Sequence, residues 1–200
     1  MRRVLFLLLA LSPQAFATGL GSYAHLVVSD SSAPPRNGVH VTYLGTNGYQ
    51  FESDGHALLV DPYFSRVDFW SVALGAHIQP SASRINDAMR HVKTKVDAIL
   101  VTHGHFDHLL DVPVVMSKTH ARLIASASSI ELVRRLPDAG ASTGDPVKAG
   151  DVRRIGPWKI RVLPATHDRL FGKVPFGEQA PRQAGPPQRA ADWICGEPLA

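Results

Sequence analysis

The segment Val96 to Val101 is a continuous apolar run broken only by Asp97, and it leads directly into Thr102-His103-Gly104-His105-Phe106-Asp107-His108. A short run of this kind, bounded by polar residues, reads as a strand buried on both faces. Four ligand-type side chains, His103, His105, Asp107 and His108, then fall within six residues. In an extended loop, residues i and i+2 project the same way, so His103 and His105 can reach one ion. Asp107 and His108 come as the chain turns into a following helix and point toward a neighbouring position. Imidazole and carboxylate donors suit Zn²⁺, with Mn²⁺ or Fe as alternatives. An open position on such an ion holds a water whose pKa falls to about 7, which makes hydroxide available at neutral pH.

The rest of the chain supplies alternating strands and helices. Val39 to Leu44 reads as a first strand and Gly45 to Gly48 as a turn. Tyr49–Glu52 and His56–Val60 flank Ser53-Asp54-Gly55, a hairpin signal, and Asp61-Pro62 ends the second arm. Pro62 to Ser81 has no clear period and reads as a long loop carrying Tyr63, Phe64, Phe69 and Trp70. These aromatics form either packing beneath the loop or an apolar substrate wall. Ile85, Ala88, Met89 and Val92 recur at helical spacing, with Ser81 or Ser83 as N-cap. A helix is expected over Leu109 to Thr119, a strand over Arg122 to Ala125, and a capping box at Ser128 to Glu131. The helix it opens is expected to end near Asp138 to Gly140. Val152–Ile155 and Trp158–Leu163 form a further hairpin that delivers Pro164-Ala165-Thr166-His167, and from Asp168 onward Gly and Pro recur without regular structure. The pattern is that of an α/β sandwich with mixed sheets.

Residues 1–17 read as an export signal. Arg2-Arg3 precedes an eight-residue apolar run, Val4 to Leu11, too short to span a bilayer, and Ala15-Phe16-Ala17 offers a small-x-small cleavage site. Residues 18–38 read as an extended lead-in, and 39–200 as the folded domain. The mature chain is therefore expected to be periplasmic or secreted, with no transmembrane anchor. The 44% apolar and 19% charged composition is that of an ordinary globular protein. The net charge of +4 is scattered, so no nucleic-acid partner is expected. A single cysteine, Cys195, excludes an intramolecular disulfide and a multi-cysteine zinc site, leaving metal binding to His and carboxylate.

His-x-His-x-Asp-His after an apolar strand resembles the hallmark of the metallo-β-lactamase superfamily. Val41-Thr42-Tyr43-Leu44-Gly45 with Leu58-Leu59-Val60-Asp61-Pro62 looks like that family's opening strands. It is most similar to the branch that includes lactonase-like and N-acylphosphatidylethanolamine phospholipase-like enzymes. Pro164-Ala165-Thr166-His167 matches the family's third histidine. The resemblance implies an αββα sandwich in which His103, His105 and His167 hold one zinc ion, and Asp107 and His108 contribute to a second. It gives Asp107 a role on the proton of the attacking water where one metal is present, and gives Asp61 a supporting role behind the ligands. The family also supplies a bridging aspartate and a last histidine. After His167 the chain has no histidine, and its aspartates there are Asp168, beside a ligand, and Asp192 in Ala-Ala-Asp-Trp. The expectation is thus a sandwich whose second half lacks its C-terminal part, as in a truncated product of a longer gene, with apolar sheet surface left uncovered. The function implied is zinc-dependent hydrolysis of an ester, lactone, amide or phosphodiester in a small-molecule or lipid-like substrate. The alternative is a metal-binding remnant without turnover. Of the other histidines, His77 alone lies in a loop that could approach the metal.

Overall fold

The structure, a computed structural model, describes His25 and residues 38–136, 144–167 and 185–200. The chain divides into two units, Met1–Arg36 and Asn37–Ala200, and among the described residues every strand and α-helix belongs to the second. The export signal expected over residues 1–17 lies outside the described residues, as does nearly all of the expected lead-in. The expected helix end at Asp138 to Gly140, Asp168 and the Gly- and Pro-rich stretch through residue 184 lie outside them as well.

Strands β1 (His40–Gly45), β2 (Gly48–Ser53) and β3 (His56–Val60) form an antiparallel meander. Asp54 and Gly55 both take positive φ, 51° and 78°, the requirement of the tight hairpin turn that Asp-Gly signals. Strands β4 (Ala98–Leu100), β5 (Arg122–Ala125) and β6 (Asp145–Pro146) then add in parallel, giving a six-stranded sheet in sequence order. The parallel pairs need crossovers, and the helices provide them. These are α1 (Phe69–Ala73) and α2 (Ala82–Ala88), then α3 (Phe106–Leu109) and α4 (Val112–Thr119), then α5 (Ala127–Arg134). Strands β7 (Val152–Ile155) and β8 (Trp158–Arg161) make a separate hairpin.

Alternation along the strands decides which layer covers which face. Leu59, Ile99 and Leu123 point into a core shared with Ile85 of α2, Val112 and Val115 of α4, and Ile130 and Val133 of α5. Their neighbours Leu58, Ala98 and Ile124 point the other way and meet Ile155, Trp158 and Ile160 of the hairpin, with Leu199. Full burial of each large apolar side chain contributes about 1.5–3 kcal/mol. The described residues therefore stack as helices, six-stranded sheet and hairpin. On the first two strands Val41, Tyr43 and Tyr49 are 49%, 60% and 40% exposed, and Val152 on the hairpin is 44% exposed. Asp97, the one polar break in the β4 run, stands at the strand's entry. Its carboxylate accepts from Ala57 N at 3.2 Å and pairs with His56 Nδ1 at 2.9 Å.

Several local expectations need correction. The Pro62–Ser81 segment contains α1, capped by Asp68, whose side chain accepts from Ser71 N. The helix buries no residue, so it leaves no apolar stripe to read. The helix expected over Leu109 to Thr119 runs over Val112–Thr119 with Asp111 as its N-cap, and the one-turn α3 precedes it and ends at Leu109. Asp111 is wholly buried because its Oδ2 accepts from Phe64 N and Ser65 N, both at 2.6 Å, which pins the loop after β3. Ser126, not Ser128, caps α5 and accepts from Ser129 N. Strand β6 is only a two-residue pairing, and Ala190–Asp192 forms a 3₁₀ turn in the tail expected to be irregular.

Candidate metal centre

Strand β4 ends at Leu100, and its loop lies outside the carboxyl edge of the parallel strands, where α/β sheets gather binding residues. Asp61, just past the end of β3, holds this loop from beneath. It is 2% exposed and takes a positive φ of 44°. Its Oδ1 accepts from Thr102 N at 2.9 Å and its Oδ2 from Thr102 Oγ1 at 2.8 Å. The same Oδ2 lies 2.9 Å from His108 Nδ1. Beyond Thr102 the loop leads to His105, the extended N-cap of α3 at φ −66° and ψ 154°. The His103 and His105 rings meet, with His103 Nε2 and His105 Nδ1 3.0 Å apart. Phe106 anchors the turn that follows, edge-on to the buried ring of Tyr63 at 6.1 Å.

His167 completes a near-equilateral triangle. The ring centroids of His103, His105 and His167 are 4.7, 4.8 and 4.6 Å apart, and each pair meets edge to face. The segment after β8 delivers His167 to this point. Burial pushes the His103 imidazole down to about 2, with the neighbouring His108, His105 and His167 adding to the effect. Burial also lowers His105 to about 4, helped by His167 and opposed by the Asp107 carboxylate. Both rings are thus neutral near pH 7, the state in which a ring nitrogen offers its lone pair to a metal.

The fourth member of the group is Cys195. Ligand atoms of His103, His105, His167 and Cys195 all lie within 4.8 Å of one another. The sequence left metal binding to His and carboxylate; here one thiol stands with three imidazoles in a group that could hold a metal. Asp107 and His108 stand outside this group. His108 turns its Nδ1 to Asp61, and its Nε2 lies 2.9 Å from Asn47 Nδ2. Asn47 Nδ2 also donates to Asp107 Oδ2 at 3.2 Å. Asn47 therefore ties the β1–β2 turn to both residues, a role the sequence hides because Asn is an ordinary turn residue. Asp192 Oδ2 accepts from Gln188 N and Arg189 N and caps its own turn. His77 is exposed and bridges Arg189 through the backbone, outside the clustered ligands. Of the loop aromatics, Tyr63 and Phe64 are core residues, while Phe69 and Trp70 are 72% and 68% exposed.

Zinc bonds of about 2.0–2.1 Å to nitrogen and about 2.3 Å to sulfur give tetrahedral donor–donor edges of about 3.3–3.6 Å. A group spanning at most 4.8 Å needs side-chain shifts of about 1 Å to close on one ion, and its mixed nitrogen and sulfur donors are those zinc takes. The residues present fit a metal.

Residues 56–185 match the family model described as the beta-lactamase superfamily domain. A UPF0173 metal-dependent hydrolase of Ignicoccus hospitalis is 28% identical over 142 residues, covering 70% of this chain and 54% of that protein. Another, from Myxococcus xanthus, is 30% identical over 185 residues, covering 88% of this chain and 58% of its own length. The chain thus spans little more than half the length of these relatives. Among solved structures, the metallo hydrolase Igni18 of Ignicoccus hospitalis superimposes with a TM-score of 0.45 at 22% identity, over 68% of this chain and 53% of that one.

Proposed function

Because the chain belongs to the metallo-β-lactamase superfamily, we propose that it is a metal-dependent hydrolase whose zinc is held by His103, His105 and His167. The observation that carries this reading is the triangle of three imidazoles, two of them held neutral by their surroundings. A zinc ion there supplies Lewis acidity, polarising a carbonyl or phosphoryl group and lowering the pKa of water toward about 7.

The chain's own groups supply the remaining parts. Asp61 and Thr102 fix the histidine loop, and Asp61 orients the His108 ring. Asp107, on the first turn of α3 and hydrogen-bonded by Asn47, is the carboxylate that takes the proton of the attacking water. A cleft of about 330 Å³ elsewhere on the surface is lined by Ile78, Leu110, Pro113, Val114 and Trp193 together with the polar His77, Gln79 and Gln188, and contains none of the metal-site residues. The substrates proposed are small or lipid-like molecules carrying ester, lactone, amide or phosphodiester bonds. Export to the periplasm or medium belongs to the same proposal and supplies such substrates. A second reading, metal binding without turnover, is favoured by the Cys195 thiol among the ligands.

Metal content and turnover test the proposal together. The zinc-loaded chain is expected to hold about one equivalent after dialysis and to hydrolyse at least one member of a chromogenic ester, lactone and phosphodiester panel. His105→Ala is expected to lose both metal and turnover. A wild-type chain that retains less than about 0.3 equivalents from excess zinc, or a His105→Ala chain with unchanged turnover, refutes it.

A further inference from the structure

The hydrolytic reading leaves the Cys195 thiol without a task. Cys195 is the only cysteine in the chain and is 1% exposed. A buried cysteine commonly serves as a small apolar core residue. In this chain the apolar core takes in its neighbours Trp193 and Ile194, while the sulfur lies among three histidine nitrogens.

The backbone around Cys195 is zipped between the two segments that carry those histidines. On one side Gly104 N donates to Cys195 O at 3.0 Å, and Leu199 N donates to Thr102 O at 2.9 Å. On the other, Leu163 and Ala200 exchange hydrogen bonds of 2.6 and 3.1 Å, and Ala165 N donates to Pro198 O at 3.3 Å. The approach is close enough to need a glycine: a Cβ on Gly104 would stand 2.4 Å from Ile194 O. The tail therefore positions its sulfur by the same contacts that position the imidazoles.

We propose that Cys195 Sγ is the fourth ligand of the ion held by His103, His105 and His167, closing its coordination shell against water and small anions. This rests on the metal site of the preceding subsection and deepens it. Metal centres that act on water keep one position free of protein, whereas four protein ligands close the shell. As the sulfur–metal bond forms, the S–H bond breaks and its proton leaves to solvent. The tail thus occupies the open position, and substrate reaches the metal only when the thiolate is displaced.

Cobalt(II) substituted for zinc in the full chain tests this without an assay of activity. The expected spectrum has intense visible bands of a four-coordinate ion and an intense near-ultraviolet sulfur-to-cobalt charge-transfer band. With a single cysteine in the chain, that band identifies Cys195 even if a Cys195→Ser chain fails to fold; if it folds, it is expected to bind cobalt without the band. Azide added to the wild-type cobalt protein is expected to leave the spectrum unchanged. Cobalt bound stoichiometrically without the charge-transfer band overturns the proposal and leaves the three-histidine site standing. A band that azide shifts overturns the closed shell. A chain that binds neither cobalt nor zinc overturns this proposal and the metal site together.

Discussion

A methyl group at position 104 measures how tightly the tail is held against the histidine loop. The Cβ of Gly104→Ala would meet Ile194 O at 2.4 Å, Leu132 Cδ1 at 3.0 Å and Ser129 Oγ at 3.4 Å. The first contact is with backbone, so no side-chain rotation relieves it. Reaching an ordinary carbon–oxygen separation of about 3.4 Å moves the tail back by about 1 Å. That stretches the 3.0 Å bond from Gly104 N to Cys195 O to about 4 Å, beyond hydrogen-bond range. Two buried backbone groups then lose their partner at about 1–3 kcal/mol, and the overpacked contact costs about 1–3 kcal/mol. The total, about 2–6 kcal/mol, is a large share of the 5–15 kcal/mol typical of a whole domain. The assay is denaturant unfolding of the metal-free chain, read as a shift in midpoint at constant slope. Gly185→Ala is the control, since a Cβ there meets nothing within 4 Å. The reasoning is refuted if Gly104→Ala unfolds at the wild-type midpoint and its cobalt form keeps the full sulfur band.

Two further outcomes follow from the site. His103 and His105 have native values below the unfolded one of about 6.5, so between the two values the unfolded chain binds more protons than the native chain. Stability is then intact above pH 6.5 and falls with pH, through about 4 for His105 and on toward about 2 for His103. The loss is on the order of a few kcal/mol at 1.36 kcal/mol per pKa unit; a melting temperature of the metal-free chain that is unchanged from about pH 7 to about pH 4.5 contradicts the burial of these rings. Asp61→Ala removes the acceptor of Thr102 N, Thr102 Oγ1 and His108 Nδ1. It is expected to destabilise the fold by about 1–3 kcal/mol and to weaken zinc binding by about 10–100-fold, and competition with a chromogenic chelator reads the second effect.

What the sequence reveals of this fold and site divides along the range of the interactions involved. Strand β4 is legible because burial on both faces demands an unbroken apolar run, and the β2–β3 hairpin because Asp54-Gly55 meets a local backbone requirement. The pairing of His103 with His105 is legible for the same reason, since an extended backbone places i and i+2 together. Helix α1 is not: it is held by a local Asp68–Ser71 cap and buries nothing, so the apolar period that betrays a helix is missing. At α5 the Ser126 hydroxyl lies 3.0 Å from that of Ser128 and 2.9 Å from that of Ser129, and only the packed chain distinguishes the cap from its neighbours. The site's long-range members fare worst. Asn47 and Cys195 lie far along the chain from the histidine loop, on a turn and in a Gly- and Pro-rich tail that carry no spacing signal. Cys195 reaches the imidazoles because both edges of its strand-like segment are already satisfied, one by Thr102 and Gly104, the other by Leu163 and Ala165. That pairing is a property of how the ends of β4 and β8 converge, so the fourth donor enters the site only when the sheet and the hairpin are stacked.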